Sequence, residues 1–263
     1  MKYISVFFLF FRLVFASIDS DFDGVIDKND NCPDTLFTDL VDETGCSIKS
    51  LLPIHKFDVV IGVAFSQLDN NTFDVSNTVY KSYQIDYNYK NFTTFVSTST
   101  YKNDEDDGFN DTTLGLYHRF IATENFLITS GMEAIFPTYK SGLNNEATDF
   151  GFSLELQYIY NQFSLFNRVR YTLIKDSDVE DILYQNTEDY TAGVGYYFSS
   201  LFYAGLSYNI SNSIYKDIES IENISLYLYH ELNDDFFITA DYAYGLSDSA
   251  SENFVSLSVG YNF

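Results

Sequence analysis

Residues 19–35 read DSDFDGVIDKNDNCPDT. Counting Asp19 as position 1 puts Asp21 at 3, Asp23 at 5, Gly24 at 6, Val25 at 7, Asp27 at 9 and Asp30 at 12. Ca²⁺ takes about six to eight oxygen ligands, and alternate side chains of a tightly curled loop supply them. The glycine permits the sharp turn, and the carbonyl at position 7 is itself a ligand. The expected ligand set is therefore Asp19, Asp21, Asp23, Asp27, Asp30 and the Val25 carbonyl, with calcium as cofactor. Position 12 is Asp rather than the longer Glu, so the loop has to wind closely. Cys32-Pro33 directly after Asn31 argues against a helix leaving the loop. The alternative is a disordered acidic spacer, and the regular offsets together with Gly24 speak against it.

A second set of ionisable residues recurs inside apolar stretches: Asp86, Glu133, Asp149, Glu155, Arg168, Arg170, Asp189 and Asp241. What positions them is a period of two. In TDFGFSLELQYIY (148–160), Phe150, Phe152, Leu154, Leu156, Tyr158 and Tyr160 take the even places. Asp149, Gly151, Ser153, Glu155 and Gln157 take the odd ones. That is a strand with one apolar and one polar or small face. The pattern predicts strands at 58–66, 79–89, 92–101, 112–121, 126–136, 148–160, 163–174, 189–198, 202–211, 221–231, 236–246 and 253–263. Their lengths suit the ~9–11 residues with which a tilted strand crosses a bilayer.

The connections alternate as well. Short ones fall at 90–91, 122–125, 161–162, 199–201 and 232–235. Long polar ones fall at 67–78, 102–111, 137–147, 175–188, 212–220 and 247–252. Short turns at one end and long loops at the other is the plan of a transmembrane barrel. A soluble barrel shares the period of two but turns its apolar face inward. Here the polar face is rich in Gly and Ser (Gly151, Ser153, Gly193, Gly195, Gly205, Ser207, Ser256, Ser258, Gly260), which suits a narrow lumen better than a wet surface. Aromatics crowd the strand ends on the apolar face (Tyr158, Tyr160, Phe198, Tyr242, Tyr244), as in an interfacial girdle.

The first sixteen residues, MKYISVFFLFFRLVFA, read as a secretory signal with Lys2 at its start and a cut after Ala16. Beyond them no apolar run is long enough for a spanning helix. The 263-residue chain carries 14 basic and 38 acidic residues, a formal charge of −24. Residues 1–16 hold Lys2 and Arg12 and no acid, which leaves 12 basic against 38 acidic residues in the remainder. That balance argues against nucleic acid and anionic lipid as partners and for small cations. Cys32 and Cys46, an even count in an exported protein, suggest one disulfide.

The last strand, ENFVSLSVGYNF, resembles the C-terminal strand of Gram-negative outer-membrane proteins. It alternates Val255, Leu257, Val259, Tyr261 and stops on Phe263. The resemblance implies recognition of this strand by the barrel-insertion machinery and residence in outer-membrane lipid beside lipopolysaccharide. The acidic run, with VDETGC (41–46) after it, resembles the thrombospondin type-3 repeat. Similar repeats accompany barrels in the outer-membrane protein A family, where they lead to a peptidoglycan-binding domain. Here the element precedes the barrel, so calcium binding rather than wall anchoring is what the resemblance implies. Some outer-membrane barrels of this size are enzymes, of a Ser-His phospholipase type or an Asp-His protease type at the outer rim. His55 precedes the expected barrel, and His118 and His230 fall toward the short-turn ends, so no catalytic residues are assigned.

The expected fold is all-β: a twelve-stranded antiparallel up-and-down transmembrane β-barrel, preceded by a small loop-rich calcium-binding segment. The parts are a signal (1–16), the calcium segment (17–50), a linker (51–57) and the barrel (58–263). The expected function is a narrow passive channel for small solutes or cations. The alternatives are a non-conducting structural or surface-interaction barrel and an outer-membrane hydrolase. The short turns and calcium segment are expected in the periplasm and the long loops outside. Acidic loops such as KNDEDDGFND (102–111) would attract cations or bridge to lipopolysaccharide through divalent ions. If Asn161-Gln162 is a two-residue turn, Tyr160 faces Phe163, Glu155 faces Arg168 and Ser153 faces Arg170. Asn167, opposite Leu156, is then the polar exception on the outer face.

Overall fold

The computed structural model describes residues 19–21, 23–33, 35, 41–47, 55–68, 76–123, 125–139, 146–179 and 181–263. The expected signal and residues 51–54 of the expected linker lie outside the described residues.

The barrel strands are β1 (His55–Leu68), β2 (Ser76–Tyr89), β3 (Phe92–Lys102), β4 (Asp107–Phe109), β5 (Thr112–Thr123), β6 (Phe126–Phe136) and β7 (Asp149–Tyr160). They continue as β8 (Phe163–Leu173), β9 (Thr187–Ser199), β10 (Phe202–Ser211), β11 (Ile221–Glu231), β12 (Phe236–Gly245) and β13 (Asn253–Asn262). Twelve of these form one antiparallel ring: each pairs with its chain neighbour, and β1 closes on β13 from Asp58↔Asn262 to Gln67↔Asn253. Closure leaves no unpaired edge. β1 begins at His55, three residues ahead of the expected boundary.

The exception is β4. It pairs with β3 through Thr100↔Phe109 and Lys102↔Asp107. Further down, β5 pairs with β3 through Ser97↔Thr113, so the pairing steps by one residue across Asn110-Asp111. Thus β4 continues β5 across a bulge. The expected open loop at 102–111 is instead a tight hairpin. The Asn103 N–H donates to the Asp106 carbonyl at 3.0 Å, and Asn103 Oδ1 accepts the N–H of Glu105 at 2.9 Å and of Asp106 at 2.7 Å. Asn is favoured here because its side chain caps its own turn.

The short connections behave as the sequence predicts. Lys90 and Asn161 take φ of 51° and 53°, the left-handed region tight hairpins demand. The β7–β8 register runs from Tyr160↔Phe163 through Glu155↔Arg168 and Ser153↔Arg170 to Phe150↔Leu173. Outward positions are broadly apolar and exposed, among them Ile61, Val63, Ile85, Phe152, Leu154, Leu165, Val194, Leu206, Val255 and Leu257. Few apolar side chains are buried: Leu127, Tyr184 and Ala250 among the described residues. The inside of the barrel is therefore not an oily core.

The N-terminal segment is a separate compact unit of loops. Cys32 and Cys46 form the expected disulfide, with Cα atoms 5.0 Å apart. The Asn31 N–H donates to the Thr44 carbonyl at 2.8 Å and Thr35 Oγ1 to the Gly45 carbonyl at 2.7 Å, joining the acidic loop to VDETGC.

Candidate functional site

The lumen holds two cavities. The first, about 480 Å³, lies against β1 to β3 and β11 to β13. Its polar lining includes Ser82, Gln84, Asp86, Ser97, Asp111 and Ser258, with Tyr227 and Phe237 among its aromatic side chains. The second, about 490 Å³, lies against β5 to β11. It gathers Arg119, Arg168 and Arg170 with Glu133, Glu155, Asp189 and Tyr117. Charge is thus unevenly distributed around the wall.

Each expected lumen charge can be placed. Asp86 lines the first cavity and accepts Gln84 Nε2 at 2.8 Å. Glu133, Glu155, Arg168, Arg170 and Asp189 line the second. Asp241 accepts Ser256 Oγ at 2.9 Å and stands opposite the inward Tyr227. Asp149, buried at the long-loop end of β7, accepts the Lys175 N–H at 2.6 Å and so ties down the next loop.

The partners differ from the simplest cross-strand expectation. Glu155 and Arg168 face one another in register. Yet among the described residues the one ion pair is Arg170–Glu133, Nη2 to Oε2 at 2.5 Å. Glu133 also accepts a short hydrogen bond from Tyr117. Arg170 crosses β7 at Gly151, whose missing side chain leaves the room: a Cβ there would lie 3.1 Å from Glu133 Oε2 and 3.4 Å from Arg170 Nε.

Sequence reasoning passed over several inward charges, Asp111 of the first cavity among them. Arg119 lines the second cavity, and Asp58 accepts Asn88 Nδ2 at 2.8 Å on the wall of β1 and β2. Both sit near strand ends, but strand parity was enough to find them. The imidazoles pack against rings at the short-turn end: His55 stacked on Tyr89, His118 tilted against Phe92 and His230 edge-on to Phe202, with centroids 5.0, 4.2 and 5.7 Å apart.

In the N-terminal loop, carboxylate oxygens of Asp19, Asp21 and Asp23 lie within 4.8 Å of one another. The Gly24 N–H donates to Asp19 Oδ2 at 3.1 Å and the Val25 N–H to Asp23 Oδ1 at 2.7 Å, which curls the chain round the carboxylates. The second oxygens of Asp23 and Asp30 are buried without a hydrogen-bond partner. Burial holds the Asp23 carboxyl above its usual range; the Val25 N–H opposes this, and Asp21 and Asp30 reinforce it. Asp27 is engaged otherwise, accepting Ser20 N–H and Oγ–H at 2.6 Å each.

No protein-family model matches the chain. No curated protein matches it either. Solved structures do. The NanC porin is 14% identical, with 78% of this chain and 98% of that one covered and a TM-score of 0.54. The KdgM porin, in complex with disordered oligogalacturonate, is 11% identical, with 79% and 99% covered and a TM-score of 0.50. At such identities the likeness establishes the fold alone: a closed, twelve-stranded antiparallel barrel.

Proposed function

We propose that this barrel spans an outer membrane and passes small solutes passively, with a preference for cations. The observation that carries this is a lumen containing two polar cavities inside a wall whose outer face is apolar. Charged groups facing inward cost little only where water or partners reach them. Asp58, Asp86, Asp149, Glu155, Asp189 and Asp241 outnumber the inward arginines, and Glu133 is already paired. Single-channel conductance in planar bilayers tests the reading, and a purified barrel that stays silent refutes it.

Arg119, Arg168 and Arg170 favour a second reading. Their shared cavity could hold a carboxylated solute, as the KdgM porin structure holds oligogalacturonate. Reversal potentials separate the two readings, since this one predicts anion preference. In either case the short turns face the periplasm and the long acidic loops the outside, where divalent ions would bridge them to lipopolysaccharide. The strand ending at Phe263 would be read by the insertion machinery.

For the N-terminal segment we propose one Ca²⁺, held by Asp19, Asp21, Asp23 and Asp30. The unpartnered oxygens of Asp23 and Asp30 support it, because buried carboxylate oxygens are costly unless something positive completes them. Asp27 would then act by fixing Ser20, and the Val25 carbonyl is the remaining expected ligand.

A further inference from the structure

Inward aromatic rings of this barrel lie on inward glycines of the neighbouring strand. Phe237 on β12 faces Gly260 on β13, Phe95 on β3 faces Gly115 on β5, and Phe166 on β8 faces Gly193 on β9. Tyr117 covers Gly131, and Tyr203 covers Gly195. At each of these glycines an added Cβ would overlap the ring. A strand side chain normally stands perpendicular to its sheet. Beside a residue with a Cβ, such a ring would project into the lumen. Beside glycine it lies flat over the vacant place.

We infer that these ring-on-glycine seats set the bore of the lumen, and that the Phe237–Gly260 seat holds the first cavity open. Phe237 lines that cavity directly, next to Tyr227, Thr239 and Ser258. Tyr229 blocks sideways movement along the wall, its ring centroid 5.5 Å from that of Phe237. A methyl group at Gly260 therefore leaves the ring one open direction, into the cavity. Gly260 lies within a strand paired on both sides and has no left-handed φ, so alanine suits its backbone. The expected effect is on the ring rather than on the strand. Tyr117 on Gly131 stands in the same relation to the second cavity.

The test places a thiol across the first cavity and measures access to it. Ser97 lines the cavity from β3. In the full chain with Cys32–Cys46 oxidised, S97C is reacted with a cationic methanethiosulfonate, and the folded barrel is verified by its heat-modifiable electrophoretic mobility. G260A should slow the reaction several-fold, and G260A/F237A should restore it, because the displaced ring is then gone. F237A alone should match or exceed the parent rate, which keeps the inference testable if G260A does not fold. An unchanged rate in G260A, or slow labelling that persists in the double variant, overturns it. So does F237A labelling more slowly than the parent. Conductance of the same variants should follow the same order. That arm rests on the channel reading, whereas a silent parent barrel would count against the channel and leave the thiol rates to decide the seats.

Discussion

Arg170 pairs with Glu133 two strands away and not with a residue on the strand beside it. Of its two cross-strand partners, Ser153 on β7 carries no charge and Asp189 on β9 forms no ion pair with it, while Gly151 opens the way over β7. The pair joins β6 to β8 across the inner wall. Glu133 is 8% exposed and Arg170 35%, so the carboxylate depends on its partner far more than the guanidinium does. Removing one member of a buried pair strands the other. A cycle of E133Q, R170M and the double variant, unfolded by urea in micelles, should show a coupling of about 1–3 kcal/mol. Additivity within ~0.5 kcal/mol would mean the contact is incidental.

The inward acids predict selectivity as well as conduction. In a KCl gradient the reversal potential should report cation preference, and D86N/D241N should reduce it. R168Q should increase it, since Arg168 lacks an ion-pair partner among the described residues. Raising salt should weaken the part due to exposed loop carboxylates, whose reach is about 10 Å at 0.1 M. Anion preference in the parent barrel would favour the arginine cavity as the filter.

The period of two makes the wall legible in the sequence, because each strand buries nothing but a face and alternation records the face directly. The Asn161-Gln162 turn fixed Glu155 opposite Arg168 because a two-residue loop leaves one register. The choice of Glu133 by Arg170 was not legible. It depends on the β6–β7 register, Glu133↔Gly151, which is set across a long connection without a tight turn to count from. β4 escaped for another reason: Asp107 and Gly108 have poor strand propensity, and the segment pairs because β3 continues beside it. In the N-terminal loop the spacing marked the acids, but it could not show that Ser20 occupies both oxygens of Asp27.

That last contact makes a prediction about calcium. The full chain, oxidised and treated with EGTA, should bind one Ca²⁺ by calorimetry in the range of extracellular modules, Kd about 10⁻⁴–10⁻³ M. D23N and D30N should abolish binding within that range, because each removes charge from an oxygen that has no other partner. D27N should weaken binding less, through the loss of the Ser20 contacts. Equal losses in all three variants would place Asp27 among the ligands, and absence of binding in the parent would end the calcium proposal.

The two glycines of the segment should respond differently to alanine. Gly24 has φ of 94° and Gly45 of 77°, both in the region that costs an L-residue roughly 1–2 kcal/mol. At Gly24 an added Cβ meets nothing within 4 Å, so backbone strain is the whole effect. At Gly45 the Cβ would overlap the Asp30 carboxylate and come within 2.8 Å of Asp23 Oδ2. G45A must therefore displace the two carboxylates whose second oxygens lack partners, besides straining the turn before Cys46. G24A should retain Ca²⁺ binding, weakened by about tenfold for each ~1.4 kcal/mol of strain carried by the bound state. G45A should lose binding within the accessible range while keeping the Cys32–Cys46 bond, verified by mass spectrometry. If G45A binds as well as G24A, Asp23 and Asp30 do not meet at the ion, and its site is confined to Asp19, Asp21 and the loop backbone.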